Sequence, residues 1–147
     1  MLLNLNIDPR DHSSCALSYN EAEGWIQGVW SGYVDQAEAM RGAEAYLQRA
    51  IIHPSPYLLN DNSGLCGPWF ESLDWLLHVW TPQAARLGLR YVAHIVQLDQ
   101  HHDIFSQRLQ IGTLPFELQI FDDGQDARNW LREQMTPVGQ LQPVRTP

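Results

Sequence analysis

Phe116-Glu-Leu-Gln-Ile-Phe-Asp-Asp-Gly-Gln-Asp-Ala-Arg-Asn-Trp-Leu-Arg-Glu133 is the stretch whose reading decides the fold. Phe116, Leu118 and Ile120 alternate with Glu117 and Gln119, the period of a strand with one apolar face. Asp122, Asp123 and Gly124 follow, and then Ala127, Trp130 and Leu131 recur at helical spacing. A switch from period two to period 3.6 across an acidic cap is what one β-α step of a layered α/β domain requires.

The same alternation recurs upstream. In Arg90 to Val96, Tyr91, Ala93 and Ile95 form one apolar side, and Val92, His94 and Val96 the other. A strand apolar on both sides is covered on both sides, so the spacing places it near the sheet centre. Cys15–Tyr19 and Gly24–Ser31 read as a hairpin around Asn20, Glu21, Ala22 and Glu23, with Ile26, Gly28 and Trp30 on one face and Trp25, Gln27 and Val29 on the other. Leu3, Leu5 and Ile7 suggest a short edge strand that Pro9 ends. Asp35 with Glu38 opens a helix to about Ile52, and Met40, Ala43, Leu47, Ala50 and Ile51 supply its apolar stripe. Tyr57–Asn60 reads as a short strand and Asp61–Pro68 as a loop. A second helix is expected from Pro68 to Leu87, kinked at Pro82 and closed by Gly88. Asp99 is expected to cap a shorter helix through Leu109. The expectation is one α/β domain over residues 1–135, a mixed, mostly parallel sheet of about five strands with an N-terminal antiparallel hairpin and about four helices. Residues 136–147, with three prolines and no periodicity, read as a mobile tail.

Composition excludes several function classes. The chain has 147 residues and a net charge of −8, which disfavours nucleic acid and anionic membrane surfaces. Its basic residues are all arginine, so lysine Schiff-base and phosphate-loop chemistry are absent. No run approaches the ~18 apolar residues of a membrane span. Without a signal-peptide pattern, Cys15 and Cys66 read as free thiols of a cytoplasmic protein.

The order of elements resembles the STAS fold of anti-anti-sigma factors and sulfate transporter tails. The closer resemblance is to small stand-alone bacterial proteins described as SpoIIAA-like or STAS/SEC14-like. The resemblance is carried by Val29-Trp30-Ser31-Gly32, Tyr57 to Asn62, Trp75 to Gly88 with its Trp80-Thr81-Pro82 step, and Phe116 to Leu131. It implies a non-catalytic domain that binds a protein partner or a small ligand. In the anti-anti-sigma members a serine directly after an aspartate is the phosphorylation switch. Asp61-Asn62-Ser63-Gly64-Leu65 is similar to that motif, but an amide, Asn62, stands at the acceptor position and Ser63 brings a hydroxyl one place later. By this resemblance Asp61, Asn62, Ser63 and Gly64 form the candidate binding loop, with Ser63 its modifiable group. The loop is expected to lead into a helix N-terminus, where backbone N–H groups favour an anion.

Other candidates have structural explanations. Asp99, His101, His102 and Asp103 are a polar knot, but adjacent helical histidines point roughly 100° apart and cannot share a metal. His94 between apolar neighbours reads as a hydrogen-bonded sheet histidine, and Asp122 and Asp123 as caps. No metal, cofactor or catalytic set is expected. Of six tryptophans, Trp69 and Trp80 fall with Leu73, Leu76 and Leu77 on one helical arc. Trp75 falls off that arc, so an exposed indole flanked by Val79 becomes the candidate anchor of a homodimer or partner surface. Two functional readings stand: an interaction domain working through protein contact or self-association, and a carrier of a small molecule or lipid with an apolar pocket between helix and sheet.

Overall fold

A computed structural model of the chain describes residues 1–70, 73–98 and 114–135. Six strands, β1 (Leu2–Ile7), β2 (Ser14–Asn20), β3 (Trp25–Gly32), β4 (Tyr57–Leu65), β5 (Tyr91–Ile95) and β6 (Glu117–Phe121), form one sheet in sequence order. The pairs β1–β2 and β2–β3 are antiparallel, and β3–β4, β4–β5 and β5–β6 are parallel. The β2–β3 hairpin closes where Asn20 Oδ1 accepts from Glu23 N and Gly24 takes a positive φ of 86°. Three helical segments accompany the sheet: α1 (Gln36–Ile52), a π-helical turn (Leu76–Trp80) running into α2 (Thr81–Arg86), and α3 (Gly124–Met135). The α/β class, mixed sheet and N-terminal hairpin are those expected from sequence. The strand count is six because the Leu3–Ile7 alternation forms a full strand. The helix expected over Asp99–Leu109 and the tail 136–147 lie outside the described residues.

Strand alternation sorts the apolar side chains onto two faces. Leu17, Ile26, Trp30, Leu58, Val92, Phe116 and Leu118 lie in the core beneath α1 and the π-turn. Trp25, Leu59, Ala93 and Ile95 pack under Ala127 and Leu131 of α3. The two faces read from β5 are therefore real, although β5 is second from the sheet edge and β3 and β4 are central. β5 is buried because helices cover both its faces.

Helix α1 starts as its sequence requires. Asp35 Oδ1 accepts from Glu38 N at 2.9 Å, and the Glu38 carboxylate pairs with Arg41. The buried face keeps Ala43 and Ala50 of the expected stripe but not Ile51. Ala39, Gly42, Ala43, Tyr46 and Ala50 are buried, whereas Ile51 is 69% exposed and Met40 and Leu47 only half-buried. The reason is Trp30. A Cβ built on Gly42 would come within 2.4 Å of its ring, so only small residues let the helix approach this indole. Burial of this kind also fixes Cys15 beneath the helix, where loss of water pushes its thiol up to about 12.

The second helix also departs from expectation. Residues 66–70 do not open it: Gly67 and Phe70 adopt positive φ, and the described helical backbone begins at Asp74. Pro82 explains the π-turn. Proline supplies no N–H and crowds the carbonyl four residues back, and the preceding turn widens so that Thr81 N donates to Leu76 O. Gln83 Nε2 donates to Val79 O, capping one displaced carbonyl. The helix closes with Gly88 N donating to Ala85 O and Leu89 N to Ala84 O, a Schellman pattern around a glycine at φ 108°.

Two predictions follow from these contacts. Alanine normally stabilises a helix interior relative to glycine, but Gly42→Ala should destabilise the protein by about 1–3 kcal/mol in urea unfolding, because overpacking against Trp30 outweighs propensity. The second concerns acid. Asp8 accepts from Arg10 N, Nε and Nη2, and Arg10 Nη2 also reaches Asp35 at 2.7 Å, so the end of β1 is tied to the cap of α1. The Arg10 hydrogen bonds hold the Asp8 carboxyl at about 2, below its ordinary 3.8. A depressed carboxylate gives stability that is present above about pH 4 and lost as pH falls through about 2. Asp8→Asn should melt below wild type at pH 7, and the gap should close between pH 4 and pH 2.

Candidate functional site

The strand register builds the floor of a cavity between the sheet and α1. Leu17 pairs with Gly28, Gly28 with Asn60, and Asn60 with His94, so one row crosses four strands. The adjacent row, Ile26–Leu58–Val92–Leu118, is wholly apolar. Gly28 leaves a gap in the first row between Leu17 and Asn60. The roof comes from Ala43 and Tyr46 of α1, from Leu76 and Trp80 of the π-turn, from Thr81, and from Trp69 of the preceding loop. The centre of a water-sized molecule can move through about 70 Å³ of it, and its empty space, counted out through the open mouth, is about 710 Å³. That is room for more than one water, or for part of an organic molecule whose remainder sits in the mouth.

Aromatic rings and aliphatic side chains share the wall. Trp69 stacks over His94 at 6.0 Å between centroids and meets Trp30 edge-on at 5.2 Å. Trp80 tilts against Tyr46 at 5.3 Å and meets Phe116 edge-on at 6.4 Å. Trp80 Nε1 donates to Ala43 O at 2.9 Å, which pins the π-turn to α1 across the roof.

The polar floor is one connected network. Trp30 Nε1 donates to Asn60 Oδ1 at 2.9 Å, and Asn60 Nδ2 lies 3.1 Å from Asn62 Oδ1 and 3.0 Å from His94 Nδ1. An indole N–H can only donate, which assigns the oxygen of Asn60 to Trp30 and its nitrogen to the other two. His94 Nδ1 is then the acceptor, and the ring proton is on Nε2. His94 is thus the hydrogen-bonded sheet histidine expected from its sequence setting. The amide that holds it, Asn60, was not legible as a hub, because its three partners lie 2, 30 and 34 residues away.

The expected Asp61–Pro68 loop needs correction. Residues 61–65 continue β4, paired with β3 through an irregular register after Val29–Asp61. Asp61 Oδ1 accepts from Ser63 N at 2.9 Å and from Ser63 Oγ at 2.6 Å, closing that irregularity locally. Asn62 is fully buried on the cavity side, and Gly64 lies against the Trp30 carbonyl. Asp61, Asn62, Ser63 and Gly64 are therefore strand residues, and the described helix that follows begins too late to aim its N-terminus at them. Trp75 is likewise not a lone exposed indole. It is half-buried and its ring stacks on Phe70 at 6.0 Å, because the π-turn and the late helix start shift the wheel drawn from Pro68. Val79 is 41% exposed. Asp123 caps α3 through Asp126 N, and Asp122 is exposed beside it. The Asp99, His101, His102 and Asp103 knot lies outside the described residues. Among the described residues no three His, Cys, Asp or Glu side chains gather as metal ligands, and no helix is long and apolar enough to cross a membrane.

No family model matches the sequence, and no curated protein does either. Among solved structures the chain is similar to an uncharacterized protein from the DUF3478 family with a SpoIIAA-like fold, from Shewanella loihica PV-4. The two are 17% identical, with a TM-score of 0.49 over 82% of this chain and 94% of that one.

The network is testable by removing its hub. Asn60→Leu leaves the Trp30 N–H, the Asn62 oxygen and His94 Nδ1 without their partner. Each such loss costs about 1–3 kcal/mol when the group stays dry, so urea unfolding should show a deficit of roughly 3 kcal/mol or more. A variant as stable as wild type would show that the amide does not organise this floor.

Proposed function

We propose that this chain is a non-catalytic binding domain that takes a small, mainly apolar molecule in the cavity between the sheet and α1. The cavity itself carries the reading: an apolar, ring-lined space with a few polar groups is the usual form of a small-molecule site. A π-turn at its roof adds support, since such turns recur at functional positions. The floor amide and imidazole are engaged with each other, which suits binding better than proton transfer. Toluene titrated into the protein should give saturable changes in tryptophan fluorescence, with amide shifts confined to residues around the cavity. Gly28→Ala should keep the fold, because the added methyl meets Leu17, Asn60 and Trp30 no closer than 3.4 Å, and should weaken binding several-fold by filling the floor. Shifts scattered over the surface without saturation would remove this reading.

A second reading, contact with another copy of the chain, is favoured by a different observation. Leu5 and Ile7 of β1 are 49% and 53% exposed, and β1 is an edge strand without charge or proline. Such an edge is a template for pairing. Sedimentation of wild type should then show dimers that Leu5→Lys abolishes; a monomer at all concentrations would exclude it.

A further inference from the structure

The cavity wall carries two hydroxyls, on Tyr46 and Thr81, that its own network does not use. Both residues are more than nine-tenths buried, at 3% and 6% exposure, and both line the cavity. They flank Trp80: Tyr46 packs against its ring, and Thr81 follows it in the chain. Among the described residues neither hydroxyl makes a hydrogen bond, whereas the Trp80 indole beside them is satisfied by Ala43. A hydroxyl without a protein partner, on a residue that lines an open cavity, can be met by what enters that cavity.

The charge of the wall narrows the ligand further. No Asp, Glu or Arg is among the described lining residues. Against these residues a charged group would lose its hydration without gaining a counter-ion. Stacked and edge-on indoles, together with Tyr46 and Phe116, offer flat apolar surfaces that suit a ring. Resting on the binding role just proposed, we infer that the cavity selects an uncharged, ring-containing molecule bearing a hydroxyl or carbonyl oxygen, and that the Tyr46 and Thr81 hydroxyls are its polar contacts. Burial keeps the Tyr46 phenol protonated well above its ordinary range, so it remains a donor to such an oxygen.

Three probes of nearly one shape separate the possibilities: p-cresol, toluene and p-toluate. Their affinities are read from amide shifts of the full chain at pH 7, for wild type, Tyr46→Phe, Thr81→Val and the double variant, with circular dichroism confirming that each is folded. Wild type should bind p-cresol about tenfold tighter than toluene, the value of one net hydrogen bond. It should bind p-toluate more weakly than p-cresol. Each single variant should reduce the cresol preference and the double variant should erase it, with toluene affinity unchanged. If cresol and toluene bind wild type equally, or if the preference survives in the folded variants, the hydroxyls are not the contacts while the cavity reading stands. If p-toluate binds tightest, the uncharged class is wrong. If no probe binds, the binding role itself fails. Should the double variant not fold, the wild-type ratio and the single variants decide the matter.

Discussion

The amide of Asn60 is the interaction on which the cavity side of the sheet depends. It joins β3, β4 and β5 through side chains, where the ladder joins them through backbone. Each of its partners is buried. The indole of Trp30 fixes the orientation of the amide, the amide fixes the tautomer of His94, and Trp69 lies flat over that imidazole. Ring positions around the floor are thereby coupled through one group. A buried hydrogen-bonded network of this kind favours one arrangement over many, which a purely apolar floor would not, although Asn62 Nδ2 has no partner among the described residues.

The same indole sets the distance of the first helix layer. Trp30 occupies the space that a larger residue at position 42 would need, so α1 presents glycine and alanine to the sheet and keeps Ile51 and Ile52 in solvent. Hydrophobicity alone places Ile51 in the stripe and misses Ala39, Gly42 and Tyr46, because several of the best-packing residues are small. The opening between layers then follows: small side chains on α1, no side chain at Gly28, and a π-turn held off by Pro82 leave a space that larger residues would fill.

What was legible in the sequence is what short-range chemistry decides. The β2–β3 turn at Asn20–Gly24, the Asp35 cap, the Gly88 stop and the Phe121-Asp122-Asp123 junction are each set within a few residues, and each is found where its local signals lie. The two faces of β3 and β5 were legible for the same reason. The rest depends on distant partners. Asn60 to Gly64 has the composition of a turn, yet pairing with β3 keeps it extended. Trp75 was placed on a wheel that assumed an ideal helix from Pro68, whereas positive φ at Phe70 and the π-turn change both origin and pitch. The cavity required Gly28, Asn60 and His94 to be seen as one row, which only the sheet register reveals.

The distribution of indoles between the two sheet faces has an optical consequence. Trp30, Trp69 and Trp80 line the cavity and Trp75 packs on the same side of the sheet, whereas Trp25 lies beneath α3 and Trp130 belongs to it, with the Arg132 guanidinium 5.8 Å from the Trp25 ring. The two sets lie on opposite faces of the sheet. Emission from this chain is therefore a sum of two populations, only one of which meets an occupant of the cavity. The chain carries its own internal standard: selective quenching or a wavelength shift in part of the signal reports the cavity, and a change in all of it reports the fold.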